Sequence, residues 1–161
     1  IQSIVTNSDD IGVVRAPWVN YLDGKRLCGG RQWPDYQPIL FDPESVTIRA
    51  QIHEWIKFDE NDVETIPIRK EMLIQHTYAS SLRQHFQTQR RYAKIMGNSR
   101  SFSLVELFIS PPWALYHTVV QLQGYRDGLV GFALGLCWSW YHLEARVYSL
   151  RKWLNYMISF V

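Results

Sequence analysis

Along this 161-residue chain the period of hydrophobic and polar positions changes near residue 80. Before that point, short apolar runs alternate with turn residues. Ile11-Gly12-Val13-Val14 reads as a strand; Arg15-Ala16-Pro17 follows it, and then an extended Trp18-Val19-Asn20-Tyr21-Leu22. Asp23-Gly24-Lys25 is a turn signal of the hairpin kind. Leu27-Cys28 predicts a strand that runs into Gly29-Gly30, and Ile39-Leu40-Phe41 a strand that ends at Asp42-Pro43. Val46 to Ile52 alternates weakly, and Met72-Leu73-Ile74 is strand-like before His76. From Ser80 to Met96 the spacing is helical, with Leu82, Phe86, Tyr92 and Ile95 as apolar anchors and a serine to cap the start. Phe102 to Gln123 predicts a further helix, bent or restarted at Pro111-Pro112. Short strands followed by helices predict mixed α/β structure, of the α+β kind.

The composition also shifts, near residue 97. Residues 1–96 hold most of the acidic groups, whereas residues 102–161 are apolar and aromatic with sparse charges. Gly97-Asn98-Ser99-Arg100-Ser101 is a plausible joint, dividing the chain into parts 1–96 and 97–161. Gly124-Tyr125-Arg126-Asp127-Gly128 is a polar turn, and residues 128–143 then carry no Asp, Glu, Lys or Arg. That stretch is 16 residues long, and spanning a bilayer takes roughly 20 apolar residues. It fits either of two readings. One is a helix lying in a membrane interface, anchored by Trp138, Trp140 and Tyr141, with Arg146, Arg151 and Lys152 among headgroups. The other is a helical hairpin whose aromatic residues form core.

Hydrophobic residues make up 47% of the chain and charged residues 20%, which marks a folding sequence. Lys plus Arg is 17 and Asp plus Glu 15, a net charge of +2. So even a balance argues against nucleic acid as the partner. Aromatic residues, at 14%, suit sugar sites and interfaces. Cys28 and Cys137 are too few for a disulfide framework or a cysteine zinc site, and read as two free thiols of a reducing cytosol. The chain opens on Ile1-Gln2-Ser3-Ile4-Val5, which reads like the tail of a helix already in progress, so the chain is expected to be a fragment.

Three features could carry chemistry. Gly29-Gly30, followed by Trp33-Pro34-Asp35-Tyr36, would let a ligand approach the backbone closely, though a glycine pair also serves any tight turn. His53-Glu54 ends a strand-like run, where a carboxylate could act as general base or simply sit in a surface ion pair. His76 could be a metal ligand or a hydrogen-bonded structural residue. The five histidines show no zinc spacing among themselves.

The order of these motifs is more specific than any one of them. Gly-Gly, then Pro-Asp-Tyr-Gln with Leu-Phe, then Ile-His-Glu, then His, then a helix containing Arg-Arg-Tyr, resembles the later half of family-2 glycosyltransferases of the GT-A fold. The Gly-Tyr-Arg-Asp-Gly turn before an apolar aromatic helix looks like the C-terminal tail of bacterial members, which act in cell-envelope polysaccharide or lipopolysaccharide assembly. The resemblance runs from about residue 11 to residue 153.

It implies a GT-A nucleotide-sugar transferase domain, whose acceptor-side part is residues 1–96, followed by apolar amphipathic helices in a membrane- or interface-associating tail, residues 97–161. It implies an inverting transferase with Glu54 as catalytic base and His53 just before it. Gly29 and Gly30 match the loop that lines the donor and acceptor crevice, and Trp33, Asp35 and Tyr36 continue that wall. His76 matches the histidine that helps hold a divalent metal, Mg or Mn, on the nucleotide in the complete enzyme. The implied partners are a nucleotide-sugar donor, a glycan or lipid-linked acceptor and the membrane surface; the implied location is cytoplasmic, peripheral to the inner face of the cell membrane.

Two departures stand beside the match. The Asp-x-Asp metal motif of the family is not in this chain, which alone is therefore expected to be inactive, and Asp9-Asp10 do not substitute for it. Ile39 precedes Leu40-Phe41 where members commonly carry Arg. The competing reading is a non-catalytic module that binds a membrane or a partner through its Trp-rich later part.

Overall fold

The computed structural model describes residues 12–49, 55–57, 59, 63–65 and 73–159. It is a mixed α/β structure, as the pattern predicts, divided into two compact units. Unit one takes residues 1–19 and 34–75, and unit two residues 20–33 and 76–161.

In unit one the organising element is β1 (Val13–Leu22), whose residues 13–19 belong here. It runs unbroken through Pro17, where the sequence suggests two pieces: the fixed φ of proline is compatible with a strand. β3 (Asp35–Phe41) pairs with it antiparallel, from Val13 opposite Phe41 to Trp18 opposite Asp35, with an irregularity between Val14 and Arg15. β6 (Val63–Thr65) pairs with Val13–Arg15 in parallel. Buried Val14 and Ala16 pack with Ile39. A separate two-stranded ladder joins β4 (Thr47–Arg49) to β5 (Trp55–Lys57), antiparallel.

In unit two the last residues of β1 turn through Asp23-Gly24 into β2 (Lys25–Arg26). Tyr21 lies opposite Arg26 and Leu22 opposite Lys25, so the loop has two residues, and both have positive φ, 49° and 72°. This is the geometry that Asp-Gly favours in a tight hairpin. Leu27 and Cys28 are not a strand, contrary to the pattern. Leu27 is apolar because it is core: it is fully buried with Leu22, Ala79 and Leu134. β7 (Ile74–Ala79) pairs with β1.

Three helices complete this unit: α1 (Leu82–Ser99), α2 (Leu104–Tyr116) and α3 (Leu129–Ile158). Ser81 caps α1 by accepting from the Gln84 amide at 3.2 Å, and Ser103 does the same for α2 from Glu106. α2 passes through Pro111-Pro112 without restarting and runs into a π-type turn, His117–Gln121. α3 packs against both other helices.

The buried stripe of α1 is His85, Gln89, Ala93 and Gly97, at a spacing of four. Leu82 and Ile95, expected as anchors, are exposed. In the second half of this stripe the residues are small because α3 approaches closely there: Ala93 packs with Tyr141 and Ala145, and Ser149 Oγ donates to the Gly97 carbonyl at 3.0 Å. A Cβ on Gly97 would collide with the Ala145 carbonyl oxygen and the Tyr148 Cβ. Gly97→Ala is expected to lower unfolding stability by roughly 1–2 kcal/mol, overpacking outweighing the helix propensity that alanine adds. Urea unfolding followed by circular dichroism checks it; an unchanged or higher midpoint would contradict the close crossing.

Candidate functional site

The residues that carry the motif pattern fall into three places. Gly29, Gly30, Trp33 and His76 belong to unit two, and Asp35 and Tyr36 open β3 in unit one. His53 and Glu54 lie outside the described residues.

In unit two the glycine pair lies against a backbone segment nearly a hundred residues later. The Gly30 amide donates to the Leu122 carbonyl at 2.8 Å. Asp127, 4% exposed, accepts from two consecutive amides, Cys28 at 2.7 Å through Oδ1 and Gly29 at 2.9 Å through Oδ2. Lys25 Nζ donates to the Asp127 carbonyl at 3.3 Å. A side chain at Gly29 would strike the Gln123 carbonyl, and Gly30 has φ +66°. Both glycines are thus required by the chain's own packing. The turn Gly124–Asp127 is the clamp that holds the glycine loop, a structural role for the Gly-Tyr-Arg-Asp-Gly motif.

His76 joins the same assembly through Asn20. Asn20 is fully buried; its Nδ2 donates to the Gln32 carbonyl at 3.0 Å, and its Oδ1 lies 2.7 Å from His76 Nδ1. With the amide oriented by Gln32, Oδ1 accepts from Nδ1–H. The hydrogen-bond network therefore assigns the tautomer that puts the imidazole lone pair on Nε2. An imidazole held through Nδ1 by a second side chain is the usual setting of a metal-ligating histidine. Among the described residues no group of three His, Cys, Asp or Glu side chains could hold a metal ion, so further ligands would come from elsewhere.

Aromatic residues frame the loop. The Arg26 guanidinium lies 5.1 Å from the Trp33 ring centroid, and Arg31 lies 4.4 Å from that of Trp138. Trp138 stacks on Tyr141 at 4.8 Å. Of the three expected interfacial anchors, Tyr141 is core, Trp138 is half-buried under Arg31, and Trp140 is exposed. Along residues 128–143, Gly131, Leu134, Gly135 and Tyr141 are buried, while Leu129, Phe132, Leu136 and Trp140 are exposed. Beside Trp140, an apolar hollow of about 380 Å³ is lined by Phe86, Leu136, Cys137, Ser139, Trp140 and Leu143. Cys28 and Cys137 are free thiols, and burial pushes the Cys137 thiol up, away from the reactive thiolate.

Sequence reasoning missed the buried histidines. His85 packs its ring 5.0 Å from Tyr78, and burial lowers its pKa from 6.5 to about 4. His142 is lowered to about 4 as well, first by burial and then by Arg146, Arg100 and Arg31, with Glu106 opposing. Burial of His85 was signalled only by its place in the four-residue stripe of α1. Between pH 6.5 and 4 the unfolded chain binds protons that the fold refuses, so stability falls as pH drops through that window. For His85 alone the loss reaches roughly 3 kcal/mol by pH 4. We expect the urea midpoint to fall between pH 7 and pH 4.5, and His85→Gln to flatten that dependence. Equal pH dependence in the variant would contradict it.

No family model, curated protein or solved structure matches this chain.

Proposed function

We propose that the chain is the acceptor-side part of an inverting glycosyltransferase of the GT-A fold. It would transfer a sugar from a nucleoside-diphosphate donor to a glycan or lipid-linked acceptor at the inner face of the membrane. The observation that supports this best is the Asp127 clamp on the glycine loop. Two motifs matched independently by the resemblance, far apart in sequence, are in direct contact, and His76 is tied to the same loop through Asn20 and Gln32.

In the proposed reaction the acceptor hydroxyl oxygen attacks the anomeric carbon of the donor. The bond from that carbon to the diphosphate oxygen breaks, its electron pair leaves with the nucleoside diphosphate, and the acceptor proton passes to the Glu54 carboxylate. Attack opposite the leaving group inverts the anomeric centre. The glycine loop, held by Asp127, gives a ligand backbone to lie against, and Trp33, with Arg26 over one face, offers an aromatic face for a sugar ring. His76 Nε2 would supply one ligand to a divalent metal, which when bound offsets charge on the nucleoside diphosphate. The remaining metal ligands belong to the Asp-x-Asp half of such an enzyme, so residues 1–161 alone would turn nothing over.

The test is transfer of radiolabelled sugar from nucleoside-diphosphate donors to extracted glycan and lipid acceptors, with Glu54 intact and as Glu54→Gln in the complete protein. A second reading, a non-catalytic membrane- or partner-binding module, is favoured by one observation, the exposed apolar residues of α2. It predicts that Glu54→Gln changes nothing and that trimming residues 128–161 abolishes function.

A further inference from the structure

The helical segment carries a charge imbalance that the whole-chain total hides. Residues 80–161 hold nine Lys and Arg against three acidic residues, a net charge of +6. Residues 1–79 hold eight against twelve, a net charge of −4. All three acids of the helical segment are engaged. Glu106 pairs with Arg146 at 2.5 Å, Glu144 with Arg90 at 3.1 Å, and Asp127 is buried on backbone amides. The exposed cations Arg83, Arg91, Lys94, Arg100, Arg126, Arg151 and Lys152 therefore set the field of its surface.

The same segment carries an apolar helix face. Val105, Phe108, Ile109, Trp113 and Tyr116 of α2 recur at helical spacing, and the first three are 60–70% exposed. From Ser101 to Leu122 the only Asp, Glu, Lys or Arg is the ion-paired Glu106. Basic residues stand at both ends of that stretch, Arg100 before it and Arg126 after it. Scattered apolar side chains on a surface need no explanation, but a contiguous helix face does. No described helix is long and apolar enough to cross a membrane. Large apolar side chains with Trp and Tyr among them, on a segment of net positive charge and flanked in sequence by Arg100 and Arg126, match a helix that lies in the headgroup plane.

We infer that α2 is a docking face for an anionic lipid bilayer. Val105, Phe108, Ile109, Trp113 and Tyr116 enter the headgroup layer, and Arg100 and Arg126 contact acidic headgroups. This places a lipid contact on the helix before the apolar run 128–143, in which Gly131, Leu134, Gly135 and Tyr141 are buried. It deepens the proposed function by naming the surface and the lipid charge, and rests on that reading only for the membrane-linked acceptor. Each basic side chain held at an anionic surface strengthens binding roughly fivefold.

The test is co-sedimentation of the protein with vesicles of phosphatidylcholine alone and with 40% phosphatidylglycerol, without donor or acceptor. At least tenfold tighter binding to the anionic vesicles is expected. Val105→Glu with Ile109→Glu should weaken it at least tenfold with the circular dichroism spectrum unchanged. Ile95→Glu, an equal exchange of apolar for acidic at an exposed site on α1, should change it less than threefold. Arg100→Gln with Arg126→Gln should reduce the preference for the anionic vesicles. Equal binding to both vesicles, equal loss in Ile95→Glu, or no vesicle binding would each overturn the inference. So would a protein that self-associates without binding vesicles and becomes monomeric in the double variant, since α2 would then face a second copy. Vesicle binding and sugar transfer are read separately: failure here leaves transfer to a water-soluble acceptor untouched, and an unaffected Glu54→Gln leaves the lipid result standing.

Discussion

Glu54→Gln in the complete protein is expected to lower kcat for sugar transfer by roughly 10²–10⁴-fold, the usual range for losing a positioned general base. Glutamine keeps the shape and cannot take the acceptor proton. Donor binding should persist, because the base acts on the acceptor and not on the nucleotide. KM for the donor should therefore change little while kcat falls, and the unfolding midpoint should stay put. Transfer assays at saturating acceptor, with urea unfolding alongside, separate lost chemistry from lost fold. A variant with full kcat would remove Glu54 from the mechanism.

Asp127→Ala is expected to have the largest effect on stability, about 3–5 kcal/mol. The carboxylate is buried and accepts from the Cys28 and Gly29 amides at 2.7 and 2.9 Å. Alanine leaves both donors without that partner, the Gly29 amide in a buried position and the Cys28 amide in a part-buried one, and each costs about 1–3 kcal/mol. Asp127→Asn keeps one acceptor oxygen and should cost clearly less. The loop carries Gly30 on the Leu122 carbonyl and Gln32 on Asn20, so loosening it should also release His76. Urea unfolding of both variants checks the order. Equal effects in the two would mean that the hydrogen bonds are not what the clamp supplies.

How far the sequence announces this structure depends on how local the cause is. The Asp23-Gly24 turn and the serine cap of α1 are legible because each is decided within four residues. Leu27-Cys28 looks like a strand because apolarity records burial and not pairing. Gly97 reads as a joint because glycine marks turns, yet it lies inside α1, where α3 crosses without room for a Cβ. Pro111-Pro112 marks a break in most helices, but α2 continues through it. The clamp of Asp127 on Gly29 could not be read from spacing, because nothing local to either residue requires the other. The resemblance brought both motifs to notice, and left the turn either a structural or a membrane-proximal part. Glu54 and His53 lie outside the described residues, so their place rests on the resemblance.

The central claim, an inverting transfer, meets its most direct test in the anomeric configuration of the product. Proton NMR of the sugar linked by the complete protein, compared with the donor, reads it from one coupling constant. An α-linked donor giving a β-linked product is the predicted result. A product of retained configuration, or no product from any nucleoside-diphosphate sugar, would contradict the account.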